Sequence, residues 1–187
     1  MSHGPLVKIE APTAAAICAG FDPTKDALAL LREGMTPAEF LEALLANRQY
    51  VAGIDFLAHA LAAREGVWWG SLCVQHACGD NLSAPDRNAL RAAVEWVLQP
   101  TEANRAAAQA PAQAAGLVSA AGALALVASL KGNAEPPPIP PAKAVANAVK
   151  TATTKVEPAR IVDTQRLFVE LGIGVAEGRF CWTECAK

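Results

Sequence analysis

The sequence has few of the side chains from which β-sheets are built. Only 5% of its 187 residues are aromatic although 52% are hydrophobic, and alanine supplies much of the hydrophobic fraction. Aromatic and β-branched residues favour strands, whereas alanine has the highest intrinsic helix propensity. The composition therefore predicts an all-α fold, and a chain of this length buries roughly 70% of the surface that its unfolded form exposes.

The sequence also has no excess of charge of one sign. Its 16 Lys and Arg residues and 18 Asp and Glu residues give a net charge of −2, and no basic run is present. Nucleic-acid binding depends on clustered basic residues, so nucleic acid is not an expected partner.

Long hydrophobic runs and a secretory signal are missing as well. The longest apolar run, from Gly116 to Leu130, is shorter than the roughly 20 residues that a membrane-spanning helix needs. We interpret it as a buried helix. The stretch from Met1 to Glu10 has neither the basic start nor the apolar centre of a signal peptide. These features predict a cytoplasmic protein without a membrane span.

The cysteines are odd in number and irregularly spaced. Small secreted domains usually carry an even, regular disulfide framework, so free and partly buried thiols are the expectation here. No cofactor or metal is predicted. The cysteines are Cys18, Cys73, Cys78, Cys181 and Cys185.

Capping sequences and apolar periodicity predict a series of helices. Thr36 to Glu39 and Ser83 to Asp86 each have the pattern of a helix start. Apolar residues three and four apart follow each start, as expected of helices that bury one face. The predicted helices run from about Thr36 to Asn47, Tyr50 to Leu61, Val67 to His76, Ser83 to Leu98, Glu102 to Gly116 (disturbed at Pro111), Ser119 to Leu130, Ala142 to Thr153 and Pro158 to Leu171.

These helices predict a compact array of helical hairpins, with solenoid-like packing as one possible arrangement. Residues 1–134 form the main helical region, and residues 135–141 a stiff proline-rich connector, since proline lacks the N–H that a helix needs. Residues 142–187 supply two more helices and a Gly-rich tail. We expect this C-terminal part to pack on the main region as one domain.

The helix from Val67 to His76 contains the candidate partner-binding residues Trp68, Trp69 and His76. Adjacent residues on a helix point about 100° apart. One indole is therefore expected to fill the core, while the other lies in a groove or at an interface.

Cys73, His76 and Cys78 are residue types that can bind zinc or act as a thiol nucleophile with its base. Their spacing is not that of a zinc knuckle, and no oxyanion loop or orienting carboxylate is recognisable nearby. We therefore predict no catalytic residues and a protein that is not an enzyme. A small metal-dependent or thiol enzyme built on these three residues is the alternative.

Several segments carry a resemblance to known proteins: Phe56-Leu57-Ala58-His59-Ala60-Leu61, Arg64-Glu65, Val67-Trp68-Trp69-Gly70-Ser71-Leu72-Cys73, Trp96-Val97-Leu98, Asn104-Arg105 and the proline-rich connector. In these segments the sequence resembles an uncharacterised bacterial family of small helical proteins, and the resemblance covers about residues 35 to 175. The sequence departs from the family pattern at Ala62-Ala63 and Gly70-Ser71. The resemblance implies an association with type VI secretion components, including PAAR-like tip proteins and their adaptors, but no activity.

Together these observations predict a non-enzymatic adaptor or chaperone. Its expected partner is another protein, such as a type VI secretion tip protein, adaptor or effector. An immunity protein that blocks a toxin is a further alternative.

Overall fold

The chain folds into helices joined by short turns. A computed structural model describes residues 4–130 and 139–182, and in these ranges it contains helices and no strand, which confirms the all-α prediction. Short 3-10 turns lie at Gly79–Asn81 and Pro158–Arg160. The α-helices are α1 (Ala14–Cys18), α2 (Lys25–Leu28), α3 (Pro37–Ala46), α4 (Tyr50–Ala60), α5 (Ala63–Cys78), α6 (Ala84–Leu98), α7 (Glu102–Ala115), α8 (Ala120–Ser129), α9 (Pro141–Thr153) and α10 (Ile161–Ala176).

The first two helices are short and were not predicted. Each begins after a threonine whose hydroxyl accepts a backbone hydrogen bond: Thr13 caps α1 and Thr24 caps α2. Helices of one turn are marginal on their own. α1 is held by packing, because Ile17 is buried and the helix contacts α4.

The predicted start of α3 is confirmed in detail. The hydroxyl of Thr36 accepts from the N–H of Glu39, and the Glu39 carboxylate accepts from the N–H of Thr36 at 2.8 Å, which completes a capping box. Phe40 of α3 meets Phe56 of α4 edge to face, with 5.0 Å between ring centroids. The apolar stripe of α3 therefore packs against α4, as the periodicity predicts.

α5 is the central helix of the fold. It contacts α6, α8, α9 and α10. In a solenoid each unit contacts mainly its neighbours in sequence. Here the helices instead surround α5. Gly70 permits the close approach of α8, because a Cβ at this position would lie 2.5 Å from Cδ2 of Leu124.

α6, α7 and α8 pack against one another, and their ends agree with the prediction. Asp86 connects two caps: its carboxylate accepts from the hydroxyl of Ser83 at the start of α6 and from that of Ser119 at the start of α8. Pro111 lies inside α7 without ending it. The two helix starts are thereby fixed to each other.

The apolar run from Gly116 to Leu130 forms α8, and the prediction of a buried helix is confirmed. Eight residues of α8, among them Leu124 and Val127, are buried. Within residues 4–130 and 139–182, no helix combines the length and apolar character needed to cross a membrane.

The last two helices pack between earlier ones. α9 contacts α4, α5 and α8, and Lys150 of α9 forms a 2.7 Å ion pair with Asp55 of α4. α10 contacts α4 and α5 and continues to Ala176, past the predicted end at Leu171. Most of the predicted proline-rich connector, residues 135–138, lies outside the described residues; Pro141 is the first residue of α9.

Residues 4–9 and 177–182 together form what we call the terminal clasp. The N–H of Lys8 donates to the carbonyl of Ala176 at 2.9 Å, at the base of the clasp. The guanidinium of Arg64 lies 4.3 Å from the ring centroid of Trp182 and its Nε–H donates to the carbonyl of Val97. One arginine thus joins the clasp to α5 and α6.

Candidate functional site

A wide groove lies between the C-terminal half of α3 and the outer face of α10. Its volume is about 1370 Å³, more than the roughly 300–1,000 Å³ typical of small-molecule pockets. Residues from the terminal clasp and Tyr50, at the start of α4, also line the groove. The lining residues are Gly4, Pro5, Glu42, Leu45, Ala46, Arg48, Tyr50, Arg166, Leu167, Glu170, Leu171, Glu177, Arg179 and Phe180.

The apolar part of the lining comes from both walls. Leu45 projects from α3, while Leu167 and Leu171 lie one turn apart on α10 and therefore share a face. All three are partly buried, and Phe180 adds a ring that is 39% exposed. The groove offers an apolar strip on which side chains of another molecule can be buried.

Charged residues border this strip, and most of them already have partners. Arg166 pairs with Glu170 at 2.9 Å along α10. Glu177 accepts hydrogen bonds from Arg179 and from the N–H of Gly4. Hydrogen bonding to Glu170 raises the pKa of Arg166 further above its usual range. These pairs hold the rim of the groove.

Arg48 is different from the other rim residues. Among the residues that the structure describes, its side chain makes no hydrogen bond or ion pair. Its backbone has φ of 57°, the one positive value outside glycine in the described ranges. The N–H of Arg48 donates to the carbonyl of Leu45, and the N–H of Gln49 donates to that of Leu44, which is the Schellman arrangement at a helix end.

Glycine is the usual residue at this position of a Schellman motif. A left-handed conformation costs a residue with a Cβ about 1–2 kcal/mol. Strain of this kind is often found where a side chain has a task other than folding. The position of Arg48 at the rim of the groove makes it the most distinctive residue of the site.

Trp68 and Trp69 are both buried. Trp69 is 0% exposed and its Nε1–H donates to the carbonyl of Phe168 at 2.8 Å; Trp68 is 6% exposed and its Nε1–H donates to the carbonyl of Phe180, also at 2.8 Å. The expectation that one indole faces outward is wrong, because the terminal clasp covers Trp68. A role in partner binding would need the clasp to move away, and burial gives both residues a packing role.

His76, the third candidate, is exposed. Its ring meets that of Phe168 edge to face, with 6.1 Å between centroids. It is not among the residues that line the groove. Its role in partner binding stays a prediction, and it concerns a different surface.

The structure does not gather Cys73, His76 and Cys78 into a metal-binding set. In the two described ranges, no three His, Cys, Asp or Glu side chains are grouped to hold a metal ion. Burial raises the pKa of the Cys73 thiol well above its usual range, so this thiol is a poor nucleophile near neutral pH. Cys78 is partly exposed and burial also raises its pKa. Cys185, which could have added a ligand, lies outside the described residues.

Comparison with known proteins gives a family but no function. Residues 40–176 match the DUF6931 family, a family of unknown function. The chain belongs to this family. No curated protein and no solved structure matched. The predicted resemblance to an uncharacterised family over about residues 35 to 175 agrees with this match in extent.

The DUF6931 match divides the groove into two parts. Its apolar strip on α3 and α10 and the residue Arg48 lie within the matched residues 40–176. The lining residues that come from the terminal clasp lie outside the match: Gly4, Pro5, Glu177, Arg179 and Phe180. The walls of the groove thus lie within the residues that match DUF6931, whereas the terminal clasp lies outside them.

The groove is not predicted from the sequence. The pattern predicts the end of one helix near Asn47 and another helix from about Pro158 to Leu171, but it does not bring the two together. The left-handed backbone of Arg48, at a position where helix ends usually have glycine, is seen only in the structure. The groove brings together Leu45 of α3 and Leu167 of α10, which are more than 100 positions apart in the sequence, and no local pattern reveals that they line one groove.

Proposed function

We propose that this protein is a non-enzymatic adaptor or chaperone that holds a segment of a partner protein in the groove between α3 and α10. The observation that supports this is the groove itself, which is open, larger than a usual small-molecule pocket, and apolar along its floor with a charged rim. Specific protein interfaces combine an apolar centre with a polar rim in the same way.

The class of partner comes from the sequence resemblance. Residues such as Val67 to Cys73 resemble those of bacterial proteins associated with type VI secretion. A secretion tip protein, an adaptor or an effector is therefore the partner that we propose. We propose that the protein binds this partner in the cytoplasm, before the partner is exported.

The experiment compares purification of tagged protein from the native host in three forms: wild type, Leu167→Glu and Val162→Glu. Leu167 lines the groove, whereas Val162 is 57% exposed on the same helix outside it. Neither is a core residue, so both variants should keep the wild-type melting temperature. We expect a type VI secretion component to co-purify with wild type and Val162→Glu but not with Leu167→Glu.

Two results would contradict the proposal. One is that no secretion component co-purifies with the wild-type protein. The other is that Leu167→Glu retains the same component as fully as Val162→Glu does, because a glutamate in the apolar strip must oppose burial of a partner there.

A further inference from the structure

The rim of the groove contains a cation that the rest of the described chain does not neutralise. Arg166 and Arg179 have carboxylate partners in Glu170 and Glu177. Arg48 has no such partner within residues 4–130 and 139–182. A molecule that enters the groove therefore meets two neutralised arginines and one that can accept a new anionic partner.

The backbone gives an independent reason to assign a task to Arg48. The Schellman arrangement that ends α3 needs only a left-handed residue at this position, and glycine meets that need without strain. Replacing the arginine by glycine would therefore favour folding. The arginine side chain is not explained by the helix end or by any contact in the described part of the chain.

The walls of the groove define the shape of an occupant. Leu45 on one side and Leu167 and Leu171 on the other belong to helices, and a third helix can lie between two helices with its apolar side chains between theirs. Amphipathic helices bound in apolar grooves are a common mode of peptide recognition. Guanidinium groups bind carboxylates with two parallel hydrogen bonds, which fix position as well as charge.

We propose that Arg48 anchors a carboxylate on an amphipathic helix of the partner protein, whose apolar side chains lie on Leu45, Leu167 and Leu171. This inference rests on the proposed function, and it adds the chemistry of the occupant: an acidic residue beside an apolar stripe. Arg48 acts as the specificity-determining residue, and the leucines supply the buried surface.

The test uses a phage-displayed library of helical peptides with leucines at positions i, i+3, i+4 and i+7 and all residue types at the flanking positions. The full chain is the bait. Selected peptides should carry Asp or Glu at one fixed flanking position. A fluorescein-labelled selected peptide should bind Arg48→Gly about tenfold or more weakly than wild type, since hydrogen bonds to charged groups contribute this much.

The same Arg48→Gly variant should melt at a higher temperature than wild type, because the strain at a positive φ is removed. A gain in stability together with a loss of binding separates recognition from a structural role. Arg32→Ala is the matched control: Arg32 is exposed and does not line the groove, so this variant should bind the peptide as wild type does.

The outcomes distinguish the two proposals. If no peptide is selected, the helical occupant is ruled out and this inference fails, while the proposed function is judged by the co-purification. If Leu167→Glu binds the selected peptide normally, the groove is not the docking site and both proposals fail. If Leu167→Glu abolishes binding while Arg48→Gly does not, or if the selected peptides carry no acidic residue, the role of Arg48 is refuted and the groove alone remains.

Discussion

Replacing Gly172 by alanine should destabilise the protein even though alanine is the better helix former. Gly172 lies inside α10, where α10 passes α4 and α5. A Cβ there would lie 2.7 Å from Cδ1 of Leu57 and 2.9 Å from Cε2 of Trp69. Both neighbours are 0% exposed, so neither can move toward solvent.

The size of the effect follows from opposing contributions. Alanine favours the helix by about 1 kcal/mol relative to glycine. Overpacking a filled core costs about 1–3 kcal/mol, and displacement of the Trp69 indole weakens its hydrogen bond to the carbonyl of Phe168, which contributes about 1 kcal/mol. The free energy of unfolding should therefore fall by about 2 kcal/mol, which lowers the melting temperature by about 4–8 °C.

Gly66→Ala is the matched control. Gly66 also lies inside a helix, α5, but a Cβ there would meet Cγ2 of Val145 at 3.5 Å, an ordinary contact. This variant should gain up to about 1 kcal/mol from helix propensity. Urea unfolding followed by circular dichroism measures both. If Gly172→Ala is as stable as Gly66→Ala, a Cβ at residue 172 does not clash with Leu57 and Trp69, and the reasoning from close packing is refuted.

Three further predictions concern single contacts. Trp68→Phe removes the hydrogen bond to the carbonyl of Phe180, which contributes about 1 kcal/mol, and part of a buried ring, so the total cost should exceed that figure. The variant should also speed hydrogen exchange in the clasp, which mass spectrometry detects. The buried Cys73 thiol should react with a disulfide reagent only when the protein unfolds. Because burial raises the pKa of this thiol in the folded state, the free energy of unfolding should fall as the pH rises beyond the ordinary thiol pKa. Cys73→Ala should reduce this pH dependence in urea titrations. The backbone hydrogen bond from Thr36, followed by the side-chain one, lowers the pKa of Glu39. The stability that Glu39 contributes should therefore be present above the ordinary carboxyl pKa and be lost as the pH falls below that value. Glu39→Gln should reduce this pH dependence in acid titrations.

Helices with local signals could be predicted from the sequence. Thr36 and Ser83 start α3 and α6 as expected, because a capping hydroxyl bonds to N–H groups only three residues away. The one-turn helix α1 could not be predicted in this way, since it depends on packing against α4. α10 continues through Gly172, although local helix propensity treats a glycine as a break. The glycine is needed there because the close packing leaves no room for a Cβ.

In the candidate site, too, features set by neighbouring residues could be predicted from the sequence, whereas contacts between distant residues could not. The spacing of Trp68 and Trp69 placed one of them in the core, but Trp68 is covered by Phe180, which is distant in sequence. The apolar faces of α3 and α10 are visible separately in the sequence, and only the fold shows that they form one groove. The strain at Arg48 was beyond prediction because a backbone angle is not encoded by residue type alone.

The packing of α4 against α9 and α10 has a consequence for synthesis on the ribosome. α6, α7 and α8 contact one another and can associate as soon as they have emerged. α4 must wait until α10 is made, and at about 5–20 residues per second that delay is on the order of ten seconds. During this interval Leu57 and Trp69, which meet Gly172 of α10 in the finished fold, stay uncovered on that side. These apolar side chains therefore stay exposed until α10 has emerged, and exposed apolar surface of this kind favours aggregation during folding.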